Sequence, residues 1–327
     1  MKMIRRKHNF GLLGDGHGRR ITHLRLAIND RYEARCPHCA SQSGRGAAGA
    51  QPAEWLDYAE LAHLVGLLAR LGVSNVRLTG GEPLLRPGLA ELAGRLSALE
   101  GVHTLSLSTA GRQLARHAAA LKAAGVRRLN VALSTLDAAS YCKETGADAL
   151  PDVLAGLAAA RREGFAPIKI NCTVRPDASE AALARMLAWT LASGFILRLI
   201  DEGSFAVARG ERALSEMAAR VAGRFGLIAA LDSSGLARYW TAGEDARALG
   251  VIGAQTRQQE AAFNRVYMTP DGTLHMGAAS QHRLPLGAML RGGADDADLM
   301  ACIVQGAARR PLNPGLDAAP LRLLRLA

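Results

Sequence analysis

Two thiols three positions apart, Cys36 and Cys39, are the side chains whose type and spacing point most directly to chemistry. In a chain that shows no export signal, such a Cys-x2-Cys pair is more often metal-binding or redox-active than a structural disulfide. Two thiolates do not complete a site. His38 between them offers a ligand type suited to zinc, although a residue flanked by both cysteines reaches tetrahedral geometry with difficulty. A second candidate is Gly80-Gly81-Glu82-Pro83, where a glycine pair lets backbone approach a ligand closely and Glu82 supplies an acceptor. Lys169 offers a cation for a phosphate or carboxylate; the same residue also reads as a lysine snorkelling from a barrel rim.

These residues must be positioned by the elements around them, and the hydrophobic periodicity gives those elements. Alternating apolar residues predict strands over 22–28, 75–79, 104–107, 128–133, 168–174 and 195–200. Apolar residues at three- and four-residue spacing predict helices over 58–71, 89–99, 113–124, 150–163 and 179–192. Strand and helix alternate, as a parallel sheet with crossover helices requires. Six such units are two short of a closed eight-stranded barrel, so the predicted fold class is α/β, an incomplete (β/α)6 TIM-like barrel open on one side. Cys36, Cys39 and the Gly-Gly-Glu-Pro run follow strand carboxyl ends, where α/β sheets place their chemistry. The segment 41–50 is rich in Gly, Ala and Ser and reads as a mobile loop. From Glu202 the alternation decays, which divides the chain into a barrel core over 1–201 and a smaller region over 202–327 containing helices at 213–225 and 296–306.

Composition narrows the partners. The 327 residues can bury a large core, with aromatics at only 4% and Ala, Leu, Val and Gly filling it instead. No run approaches the roughly 18 uninterrupted apolar residues of a membrane span, so no membrane is expected. The basic N-terminus lacks the apolar core of a secretion signal, and five cysteines show no disulfide-framework spacing; both point to a reducing cytoplasm. The net charge of +11 suits an anionic partner, but the arginines are scattered along helix faces and no nucleic-acid-binding motif is present. Compositional bias on solvated faces is the stronger reading of that charge, and nucleic acid is not the expected partner.

The order of these motifs resembles a known family. Gly18-Arg19-Arg20-Ile21-Thr22-His23-Leu24-Arg25, then Asn29-Asp30-Arg31 and Cys36-x2-Cys39, resemble the radical S-adenosylmethionine (SAM) enzymes, and among those the GTP 3′,8-cyclases that begin molybdenum cofactor synthesis. The resemblance covers nearly the whole chain and implies an incomplete barrel, a 4Fe-4S cluster, SAM and GTP as ligands, and a homodimer. It implies that Gly80, Gly81, Glu82 and Pro83 receive the methionine end of SAM, that Ser108 and Arg198 complete the SAM contacts, and that Arg19, Lys169 and Arg265 hold the nucleotide.

The departures fall on ligands. The first of three cluster cysteines in the family is Tyr32 here, leaving Cys36 and Cys39 as the metal-site thiols. The three cysteines of the family's second cluster, which binds the purine of GTP, are Glu260, Phe263 and Gly277, and the family's terminal Gly-Gly is absent from a chain that ends Arg325-Leu326-Ala327. Ala110 and Ala132 replace polar residues near SAM, and Tyr267 replaces an arginine. A phenol is a hard, weakly acidic donor with a pKa near ~10, poorly suited to replace thiolate on an iron-sulfur cluster. The resulting expectation is a cyclase-like protein without cyclase activity, its first cluster in doubt and its second absent. A non-catalytic nucleotide-binding or regulatory homologue, and an enzyme using a different metal at Cys36 and Cys39, are the alternatives.

Overall fold

The computed structural model describes residues 12–33, 55–201, 209–210, 212–230, 237–243, 246–253, 264–277 and 282–310. The first strand, β1 (His23–Ala27), is followed by α1 (Tyr58–Arg70), β2 (Asn75–Thr79), α2 (Leu89–Ser97), β3 (Thr104–Thr109), α3 (Leu114–Ala123) and β4 (Arg128–Ala132). Next come α4 (Ala138–Thr145), α5 (Leu150–Arg162), β5 (Ile168–Thr173), α6 (Glu180–Ser193) and β6 (Ile196–Ile200). The last third adds α7 (Ala213–Arg224), β7 (Ile228–Ala229), β8 (Arg238–Thr241), β9 (Arg247–Ile252), β10 (Arg265–Met268), β11 (Thr273–His275), β12 (Arg283–Pro285), α8 (Leu286–Arg291) and α9 (Asp296–Ala308).

All strands join one sheet in the order β12-β11-β10-β1-β2-β3-β4-β5-β6-β9-β8-β7. The run from β10 through β1 to β6 and on to β9 is parallel, and antiparallel strands flank it on both sides. This is the partial TIM-like barrel that the periodicity predicts, with β9 and β10 widening it by one parallel strand at each side. Among the described residues β7 and β12 are the two edges and the barrel does not close. No helix among them is long and apolar enough to cross a membrane.

Strand alternation sorts the barrel into a dry outer layer and a polar lumen. Leu24 and Leu26, Val76 and Leu78, Leu105 and Leu107, Leu129 and Val131, and Leu197 and Leu199 are buried in the main core beneath the helices. Their alternates, among them Arg25, Arg77, Ser106, Asn130, Lys169 and Arg198, occupy the opposite face. The helices show the expected local signals. Asp57 and Glu60 form a reciprocal capping box on α1, with Asp57 Oδ1 accepting from Glu60 N at 2.8 Å and Glu60 Oε2 from Asp57 N at 2.7 Å. Ser179 caps α6 and Gly194 ends it in the left-handed region. The short helix α4 escapes the periodicity because Tyr141 alone is buried along it.

Candidate functional site

The Gly80-Gly81-Glu82-Pro83 run leaves the carboxyl end of β2, and its glycines have a visible cause. A Cβ on Gly80, whose φ is +145°, would lie 2.5 Å from Asn29 O, and one on Gly81 would lie 2.0 Å from Arg31 O. The glycines therefore admit the backbone that leaves β1. That backbone is stitched down by Gly81 N donating to Asn29 O at 3.0 Å, Glu82 N to Arg31 O at 2.6 Å, and Asn29 Nδ2 to Glu82 O at 2.8 Å.

Glu82 is 2% exposed, and its carboxylate faces the protein. Oε1 accepts from Thr109 Oγ1 at 2.7 Å and from Leu84 N at 3.1 Å, while Oε2 accepts from Ala110 N at 2.7 Å. Burial pushes its pKa up to about 7 despite those donors. Glu82 thus braces the ends of β2 and β3 against each other, and Pro83 opens the 3-10 turn that follows. Ser108, one strand over, has a buried hydroxyl with no hydrogen-bond partner.

Deeper in the lumen, Arg198 is buried at 6% exposure. Its Nε donates to Asn171 Oδ1 at 2.8 Å and its Nη2 to Asn130 Oδ1 at 2.9 Å, neutral amides that orient the guanidinium without cancelling its charge. Below it, at the amino ends of the strands, lies a cavity of about 80 Å³. Its lining includes His23, Arg25, Arg77, Arg128, Lys169 and Arg265, and no carboxylate is among the described lining residues. Burial and the neighbouring charges of Arg25, Arg198 and Arg265 pull Arg77 below its ordinary pKa. Burial, then Arg198, Arg77, Arg128 and Arg247, lower Lys169 to about 7. Like charges this close repel one another, which makes the cavity a candidate receiver of an anion.

The structure thus brings Lys169 and Arg265 together with Arg198 above them, and it resolves Lys169 as a lumen residue. Arg19 is elsewhere: its Nε pairs with Asp15 Oδ2 at 2.5 Å in the turn before β1. Sequence reading missed Arg25, Arg77 and Arg128. Their signal was the strand alternation itself, which puts each on the face opposite the leucines.

Tyr32 is 39% exposed and lines a small cavity with Asn29, Gly80, Gly81, Tyr267 and His275. Burial lowers the pKa of His275, and its Nδ1 has no partner. Gly277 follows two residues later. Cys36, His38, Cys39, the 41–50 segment, Glu260 and Phe263 lie outside the described residues. Among those described, no three His, Cys, Asp or Glu side chains are grouped to hold a metal.

Comparison with known proteins identifies the superfamily and the fold. The model of the Radical SAM superfamily matches residues 33–190. A GTP 3′,8-cyclase of Pseudomonas putida (strain W619) is 35% identical, covering 89% of each chain, and GTP 3′,8-cyclase 2 of Pseudomonas aeruginosa is 35% identical over 94% of each. Among solved structures, Streptococcus suis SuiB superposes with a TM-score of 0.59 at 12% identity, over 85% of this chain and 67% of that one, a likeness of fold.

Proposed function

Because the chain belongs to the GTP 3′,8-cyclase family of the radical SAM superfamily, we propose that it binds GTP through the basic lumen floor but does not carry out the cyclase reaction. The observation that carries the first half is the cavity lined by Arg25, Arg77, Arg128, Lys169 and Arg265, with no carboxylate among its described lining residues. Its charge complements a triphosphate, and arginine forks bind phosphate oxygens in pairs. Arg198, held by Asn130 and Asn171, extends the positive field toward the middle of the lumen.

The second half rests on donor chemistry at the mouth. When bound, a four-iron cluster supplies the electron that cleaves SAM, and it is held by thiolates. Tyr32 presents a phenol at the first ligand position, beside Gly80 and Gly81, leaving Cys36 and Cys39 as the only thiols of that loop. This donor set does not fit the cluster. Glu260, Phe263 and Gly277 remove the thiols of the second cluster in the same way. SAM itself retains partners: the Gly80 to Pro83 loop, the unpartnered Ser108 hydroxyl and Arg198.

Two measurements test the halves separately. Calorimetric titration with GTP should show one site per chain whose affinity falls steeply with salt; failure to bind refutes the nucleotide reading. Anaerobic reconstitution of native protein and Tyr32→Cys, with iron and sulfide counting, should give about four irons per chain only in the variant. Native protein that takes up the cluster and cleaves SAM after reduction overturns the claim of lost cyclase chemistry.

A further inference from the structure

Among the arginines of the lumen floor sits one lysine. Lys169 stands on β5, in register with Asn130 of β4 and Ile196 of β6. Facing it across the cavity are His23 and Arg25 from β1, Arg77 from β2 and Arg265 from β10, with Arg128 from β4 at its side. Arg198 of β6 and Arg247 of β9 add their fields from the far side. The described lining residues include no carboxylate to offset any of them.

Such a cluster must lower its own repulsion before a ligand arrives, and its members differ in how they can do so. An arginine keeps its proton at any physiological pH; a desolvated lysine gives its proton up. The neutral state of His23 is already secured by burial and by Arg265, Arg77 and Arg25, which lower it to about 4. Lys169 is left as the group whose charge responds to what occupies the cavity.

We propose that the lumen floor binds its polyanion together with one proton from solvent, taken up at Lys169 Nζ, so that nucleotide binding is coupled to pH. The proposal rests on the phosphate-site reading given above. Without ligand the amine is largely neutral at mildly alkaline pH, as its value of about 7 requires. An arriving triphosphate supplies the missing negative charge and raises the ammonium's pKa, so the bound state holds a proton that the free state lacks. Affinity is therefore greatest below the free-state value and falls, by up to about tenfold per pH unit, as pH rises from there toward the bound-state value.

The test is isothermal titration of the full chain with GTP at pH 8.5, in buffers of different ionisation enthalpy. Phosphate monoesters complete their ionisation about pH 6, so GTP brings no titrating phosphate proton at this pH. The slope of observed enthalpy against buffer enthalpy should approach one proton taken up per GTP bound. Lys169→Arg, permanently charged, should bind with a slope near zero. Lys169→Met should also show no uptake and should bind at least about tenfold more weakly, as loss of a charge-assisted contact implies. Wild-type binding without proton uptake, or equal uptake by Lys169→Arg, overturns the coupling and leaves the phosphate site standing. Absence of GTP binding in every variant overturns the phosphate site and the coupling with it.

Discussion

Replacing Gly81 by alanine should destabilise the protein by about 3–5 kcal/mol through sterics alone, and the magnitude follows from contacts described above. The φ of Gly81 is not in the left-handed region, so its backbone tolerates alanine in principle. The added Cβ, however, would lie 2.0 Å from Arg31 O, 2.5 Å from Arg31 C and 2.8 Å from Arg31 N, all backbone atoms that cannot rotate away. The segment of backbone that leaves β1 must move outward, breaking some of the three hydrogen bonds that tie residues 29–31 to 81–82. Loss of two at about 1 kcal/mol each, with a packing cost of about 1–3 kcal/mol, gives the range stated. An unfolding entropy of about 2.1 cal/mol/K per residue converts this, for a chain of this length, to roughly 1.5 °C per kcal/mol, hence a fall in Tm of about 4–7 °C. Gly94→Ala is the matched control, because that glycine lies inside α2 with nothing within 4 Å of an added Cβ. It should raise stability by about 0.5–1 kcal/mol. Both would be read by thermal unfolding of the ligand-free protein. A Gly81→Ala variant melting within about 1 °C of wild type would refute the argument that the glycine pair exists to admit residues 29–31.

Glu82 gives a pH signature. Its folded pKa of about 7 exceeds the ordinary 4.5, so the native state holds a proton that the unfolded chain releases between those values. Its contribution is fully present below pH 4.5 and is lost as pH rises through about 7, a change of about 3 kcal/mol. Glu82→Gln should flatten that segment of the stability profile; denaturant midpoints at pH 5 and 8 that differ as much in the variant as in wild type would contradict it. Arg77→Met should weaken GTP binding by about 10- to 100-fold, the value of a charge-assisted phosphate contact. It should also leave the Tm of the ligand-free protein unchanged or raised, since Arg77 is opposed by Arg25, Arg198 and Arg265. A large loss of stability with intact GTP affinity would mean that Arg77 is structural.

The six β/α units were legible because each carries its own local evidence: a leucine- or valine-rich alternation, then an apolar helical stripe. The lumen floor was not, because it is a property of registers. Arg25, Arg77 and Arg128 each read singly as the polar alternate of a half-buried strand. Only the pairing of Arg25 with Arg77, Arg77 with Ser106 and Ser106 with Arg128 places them around one cavity. Lys169 and Arg265 were identified through motif resemblance, which fixes positions without showing surroundings. The same resemblance named Arg19, whose partner Asp15 lies four residues away. It assigned Glu82 to the methionine end of SAM without showing the carboxylate's surroundings, three donors from Leu84 on the turn that follows β2 and from Thr109 and Ala110 at the end of β3.

The pairing of β1 with β10 has a consequence for how the molecule is made. His23 and Leu24 pair with Arg265 and Val266, which are synthesised about 240 residues later. Strands β1 to β6 can associate in the order they emerge, each new unit packing on the one before. The side of β1 facing away from β2 must wait, its backbone unpaired, until β10 has been translated. Arg265 arrives with that late strand. The lumen floor is thus completed late, and a ribosome stalled before β10 carries a nascent sheet with one unprotected edge and a lumen floor lacking one wall.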